Sequence, residues 1–298
     1  MEQRYPLAVF SDRVLPPGYA GPVYVWDVDK TYLSTRFSSL GGLVRIPIEF
    51  AVDKVSIPGM PEVLRGLRRG PGPGYACAPI FFVSASPPQL KKALENKMLI
   101  DGVEHDGLTF KDWAATIRAG RPGRLKEQVG YKLCALLEGR ARRPMAAEYL
   151  FGDDVEHDAL AFSLYARILS GEIRAGTAET GMARAGVALD DRRCVRELLD
   201  AVPAPRGEVK KVFIHLEKGR PPSEFESFGP IVVPCRGGFQ LSLVLFDLGL
   251  VDADTVRQAR SAVERAPGHR RQDPAELTAD AESRGIVRRA TLAKIPGR

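Results

Sequence analysis

The chain has 298 residues, 44% of them hydrophobic and 27% charged, with a formal net charge of +6. That length suffices for one sizeable core, the composition is that of an ordinary soluble globular protein, and no apolar stretch approaches the roughly 18 residues of a membrane span. The opening Met-Glu-Gln-Arg-Tyr-Pro lacks a signal-peptide layout, and Cys77, Cys134, Cys194 and Cys235 are scattered without Cys-x-x-Cys spacing, so a reducing cytoplasm is expected. The positive charge suits an anionic partner such as a phosphorylated substrate, a lipid headgroup or nucleic acid. The arginine-, alanine- and glycine-rich composition explains it more simply as compositional bias.

In chain order, residues 22–28 form an apolar run that ends in Asp27. Such runs mark strands buried on both faces, as in parallel sheets. Residues 36–60 are too long for a simple connection and read as a small flap or cap. Residues 61–69 begin with a proline at a first-turn position and predict a helix. A Gly/Pro loop then leads to a second run at 78–83, which ends in a polar turn at 84–88. Helices are predicted over 88–98, 125–138 and 158–173, and further strands over 146–151 and 209–216. Alternation of this kind argues for a Rossmann-like, doubly wound parallel α/β sheet. The expected organisation is a catalytic domain over 1–235 and a helical C-terminal appendage over 236–266, with a helix capped at Asp252. From 267 to 298 no persistent apolar face is evident, which predicts a mobile tail.

Three of the four apolar runs end in groups suited to phosphate chemistry: Asp27 and Asp29, then Ser84, then Asp153 and Asp154. Ligands of open α/β sheets bind outside the carboxyl ends of the strands, so these groups should converge. A carboxylate can attack phosphorus to give an acyl phosphate, and Asp27 is placed for that. Asp29 would act as acid and base, and Ser84 would hydrogen-bond a phosphoryl oxygen. Carboxylate and phosphate repel each other, so Mg²⁺ is expected, held by Asp27, Asp153 and the backbone carbonyl of Asp29. A lysine is still required to offset the charge.

Asp27-x-Asp29-x-Thr31, Ser84 within "IFFVSASPPQL", "DGLTFKDW", "YKL" at 131–133 and "GDDVEHD" at 152–158 resemble the ordered motifs of the haloacid dehalogenase-like (HAD) phosphohydrolases. The closest resemblance is to the actin-patch phosphatidate phosphatase catalytic domain family, over about residues 20–175. It implies Asp27 as nucleophile, Asp29 as acid/base with a place at the metal, and Thr31 and Ser84 as phosphate and turn ligands. Lys132, spaced from Asp153 as in that family and so preferred to Lys126, would be the charge stabiliser. Asp153 would be a metal ligand and Asp158 a second acid at the metal, with Asp154 as the alternative. Lys30 stands where the family usually has a third aspartate, and Tyr131 where it has a histidine.

The expected function is a Mg²⁺-dependent phosphomonoester hydrolase working through an aspartyl-phosphate. Phosphatidate or a related lipid phosphate is the family-level substrate, with peripheral membrane contact. Two alternatives stand beside it: a nucleic-acid 3′-phosphate phosphatase, and a catalytically degenerate phosphate-binding regulator. Glu-His-Asp occurs at 104–106 and 156–158, but a histidine-based metal site would need more histidines, so His157 reads as an exposed first-turn residue.

Overall fold

The computed structural model describes residues 7–11, 13–34, 55–118, 128–173, 175–184, 186–202, 206–268 and 272–295. The strands are β1 (Leu7–Ser11), β2 (Pro22–Asp27), β3 (Leu33–Ser34), β4 (Val55–Ser56), β5 (Ile80–Ser84), β6 (Gly107–Lys111), β7 (Ala147–Asp153), β8 (Val209–His215) and β9 (Val232–Cys235). Seven of them form one sheet in the order β1-β6-β5-β2-β7-β8-β9. All its pairings are parallel except that of β1 with β6. The helices are α1 (Met60–Arg69), α2 (Lys91–Ile100), α3 (Trp113–Arg118), α4 (Val129–Arg142), α5 (Asp158–Leu169), α6 (Ala175–Arg184), α7 (Leu189–Ala201), α8 (Gly238–Asp247), α9 (Ala253–Glu264), α10 (Pro274–Ser283) and α11 (Arg289–Leu292). This is a mixed α/β architecture, a mostly parallel sheet flanked by helices, consistent with the Rossmann-like expectation.

The central strand shows why the fold forms. From Val23 to Asp27 its residues are buried on both faces, and alternation divides them between two cores. Val23 and Val25 face a cluster with Leu133, Leu136 and Leu137 of α4 and Phe162 of α5. Tyr24 and Trp26 face a cluster with Val63 and Leu67 of α1 and Leu245 of α8. On that second face Trp26 stacks on Phe151 at 4.1 Å, and Phe151 on Phe213 at 4.9 Å, so one aromatic row ties β2, β7 and β8 together. Truncating one such ring to alanine costs about 3–5 kcal/mol. Asp27 continues the alternation of Val23 and Val25 and therefore points toward the α4 layer.

The four strands and four helices expected through residue 216 are present. The short strands β1, β3, β4, β6 and β9 and helices α3, α6 and α7 are additional. The flap expected over 36–60 lies mostly outside the described residues; its described end, β4, pairs antiparallel with β3.

The C-terminal expectation needs correction. Over 272–295 the segment expected to be a mobile tail carries α10 and α11. Leu277, Ala281, Val287 and Leu292 are buried in the same core as Trp26. One or two apolar side chains per helix, with Val287 between them, suffice because α8 offers an apolar surface to pack on. The helix α8 itself, expected in an appendage, belongs to the layer that covers the sheet. It lies so close to the start of α1 that a Cβ on Gly59 would sit 3.0 Å from the Gly238 carbonyl carbon.

Candidate active site

The strand ends meet as the topology requires. β5, β2 and β7 are adjacent and parallel, so Ser84, Asp27 and Asp153 emerge on the same edge. Lys132, in the first turn of α4, reaches them from the covering layer. Its Nζ lies 2.9 Å from Asp27 Oδ1 and 3.3 Å from Glu156 Oε2, and it also pairs with Asp158. Lys132, Asp27, Asp153 and Asp158 are all almost wholly buried. Burial alone would neutralise this lysine; Asp158, Asp27, Glu156 and Asp153 outweigh that and hold its pKa well above the ordinary value.

Asp158 opens α5 and uses both oxygens locally. One pairs with Lys132; the other accepts the Asp153 amide at 3.0 Å. This closeness requires glycine at 152, where a Cβ would sit 2.7 Å from Asp158 Cγ. The Gly-Asp start of the motif is thereby tied physically to its final aspartate. Asp153 Oδ1 accepts the amides of Val155 at 2.5 Å and Glu156 at 2.9 Å. Its Oδ2 is buried and receives no hydrogen bond.

The remaining expected residues are placed differently from one another. The Thr31 hydroxyl donates to Asp27 Oδ2 at 3.3 Å, so it orients that carboxylate. Asp29 Oδ2 accepts from Ser86 at 2.9 Å and from Ser84 at 3.4 Å. Asp154 turns away from the cluster: its carboxylate caps the loop after β8 by accepting the amides of Lys218 (2.9 Å) and Arg220 (3.4 Å). His157 is exposed, with a left-handed backbone at φ 62°.

Sequence reasoning missed four contributors. Glu156 joins the acids, Ser86 holds Asp29, and Tyr131 donates to the carbonyls of Ser84 (2.7 Å) and Thr109 (3.1 Å), pinning the end of β5 to β6. His215, at the end of β8, is 2.7 Å through Nδ1 from the Lys30 carbonyl. A carbonyl can only accept, so Nδ1 carries a proton, and burial lowers the pKa of the ring. It anchors Lys30, whose φ of 65° is left-handed. Glu156 and Ser86 lay inside quoted motifs, and their side chains could have been counted with the acids and hydroxyls around them.

The donor set fits a divalent cation. Asp27, Asp153 and Glu156 each present a carboxylate oxygen, all within 4.8 Å of one another, the group of this kind among the described residues. Burial, then Asp158, Glu156 and Asp153, push the Asp27 carboxyl well up against the pull of Lys132. Burial and Asp158 push Asp153 up to about 8. Crowded, buried carboxylates with an oxygen left unbonded are what a hard, oxygen-seeking cation relieves.

The family model described as phosphatidate phosphatase APP1, catalytic domain, matches residues 23–175. No curated protein and no solved structure matches the chain. The matched stretch runs from β2 to the segment after α5 and so takes in each acid and lysine of the buried cluster. With a match over more than half its length, the chain belongs to the family of the phosphatidate phosphatase APP1 catalytic domain.

Proposed function

We propose that this protein is a Mg²⁺-dependent phosphohydrolase that cleaves a phosphomonoester through an aspartyl-phosphate on Asp27. Phosphatidate or a related lipid phosphate is the substrate that family membership favours. The observation that carries the reading is the buried Lys132 ammonium 2.9 Å from Asp27, with Asp153 and Asp158 in the same cluster.

The roles follow from the placements. An Asp27 carboxylate oxygen forms a bond to phosphorus as the bond to the leaving oxygen breaks. Asp29, held by Ser84 and Ser86, gives its proton to that leaving oxygen. It then takes a proton from the water that attacks the acyl phosphate, which releases phosphate and regenerates Asp27. Lys132 offsets the charge that builds on the phosphoryl oxygens. Asp158 keeps the lysine in position, and Thr31 keeps Asp27 in one rotamer. Asp27, Asp153 and the Asp29 carbonyl would hold Mg²⁺, which when bound offsets the repulsion between carboxylate and phosphate. No helix among the described residues is long and apolar enough to cross a membrane, so a lipid substrate would be met at a bilayer surface.

The test is a phosphatase screen over phosphatidate vesicles, nucleotides, sugar phosphates and 3′-phosphorylated DNA, with Mg²⁺ and with chelator. Mg²⁺-dependent phosphate release, strongest on phosphatidate and absent in Asp27→Asn, is the expected result. Preference for the 3′-phosphorylated DNA would move the substrate to nucleic acid. Bound Mg²⁺ without turnover of any of them would make the protein a phosphate-binding regulator.

A further inference from the structure

Glu156 is held between two ammonium groups. Its Oε2 is 3.3 Å from Lys132 Nζ, and its Oε1 is 3.7 Å from Lys30 Nζ. The two lysines differ in what holds them. Lys132 is completely buried and is fixed by Asp27 and Asp158 as well. The Lys30 side chain is 30% exposed, and its contact with Glu156 is longer than a hydrogen bond. A pair of that kind is weak. Its backbone, in contrast, is anchored by His215, so the side chain can leave without moving the loop.

The Glu156 carboxylate also reaches the two acids at the strand ends, with oxygens of all three within 4.8 Å. Asp153 Oδ2, in a residue with no solvent exposure, lacks a donor. A buried carboxylate oxygen without a partner costs free energy unless something positive takes that place. Lys30 is too far from Asp153 to form an ion pair with it, and Lys132 is already committed to three other carboxylates.

We propose that Glu156 is a third carboxylate ligand of the cation site formed with Asp27 and Asp153, and that Lys30 competes with the cation for it. The inference rests on the cation site of the proposed function and adds two residues to it. Lys30 then sets metal affinity: while it sits on Glu156 the acid is partly neutralised, and a divalent ion must displace it to bind.

Direct binding of Mn²⁺ to the full-length protein without substrate, followed by calorimetry and by loss of the free-ion spin-resonance signal, tests this. The wild type should bind one ion. Glu156→Gln should weaken binding by about tenfold to a hundredfold. Lys30→Met, a substitution at a partly exposed position that keeps the stem, should tighten binding several-fold, and that gain should vanish when Glu156→Gln is also present. Equal affinity of wild type and Glu156→Gln would overturn the proposal. So would a Lys30→Met gain that persists undiminished in the double variant, which would be bulk repulsion rather than competition for one carboxylate. Mg²⁺-dependent turnover with Glu156→Gln still binding normally defeats this inference and leaves the proposed function standing. Expected binding behaviour without turnover of any phosphomonoester does the reverse.

Discussion

Lys132 Nζ of helix α4 stands 2.9 Å from Asp27 Oδ1 at the end of strand β2. The pair is buried, and its geometry depends on Asp158, which fixes the lysine, and on Thr31, which fixes the aspartate. One ammonium thus serves the proposed nucleophile and the scaffold around it.

Replacement of Asp27 by asparagine should remove turnover and leave folding intact. The side chains are nearly isosteric, but an amide is a far poorer nucleophile, so kcat should fall by about 10³-fold or more. Asp29→Asn should cost about 10²–10⁴-fold, with the larger loss on substrates that have poor leaving groups. Initial rates and far-ultraviolet circular dichroism measured on the same preparations check both.

Lys132→Met should destabilise the protein even where activity is not measured. Removing the ammonium leaves Asp27, Asp158 and Glu156 facing one another in a buried site, a change that costs about 3–5 kcal/mol. Urea unfolding at neutral pH should show this as a lower midpoint. Added Mg²⁺ should recover part of the loss. A midpoint equal to that of the wild type would contradict the charge balance described for the cluster.

Tyr131→Phe removes the donor shared by the Ser84 and Thr109 carbonyls. The loss of a buried hydrogen bond should cost about 1–2 kcal/mol in thermal or chemical unfolding. Looser placement of Ser84 and Ser86 should raise KM more than it lowers kcat.

Asp252 should give the fold an acid-sensitive clamp away from the candidate site. It caps α9 by accepting the Thr255 amide and hydroxyl at 2.8 and 2.7 Å, and it pairs with Arg69 of α1 at 3.1 Å. Burial would raise its pKa, but the Thr255 hydrogen bonds and Arg69 together leave it below the ordinary value. A carboxyl with a depressed folded pKa contributes stability that is complete above its unfolded value of about 3.9. That contribution fades as pH falls through the folded value. Asp252→Asn keeps a capping oxygen and should flatten the stability profile below about pH 4, while Asp252→Ala should cost about 1 kcal/mol at neutral pH. Denaturant midpoints across the acid range would separate the two effects.

The sequence made the three strand ends of the candidate site legible because buried parallel strands are continuous apolar runs, and Asp27, Ser84 and Asp153 end such runs. The strands β1, β6 and β9 were harder to see. They have four or five residues each, and Gly107–Lys111 lies inside a motif whose Asp112 and Trp113 draw attention to chemistry. Of the site, the spacing suggested which acids belonged together but could not give rotamers. Asp154 and Glu156 look interchangeable on paper. A turn of the chain sends the first to the loop after β8 and the second to Lys132. The C-terminal helices were illegible for a different reason. Leu277, Ala281 and Leu292 make a stripe too sparse to read until the surface of α8 is known.

The helices beyond residue 236 cover the face of the sheet that carries Trp26, one residue before the aspartate on which the proposed chemistry depends. The motif-bearing segment 23–175 therefore cannot be excised as a working enzyme. Severed there, it would lose β8 and β9 and present its aromatic row to water. Any shortened version intended for assay or crystallisation has to keep the chain through Leu292.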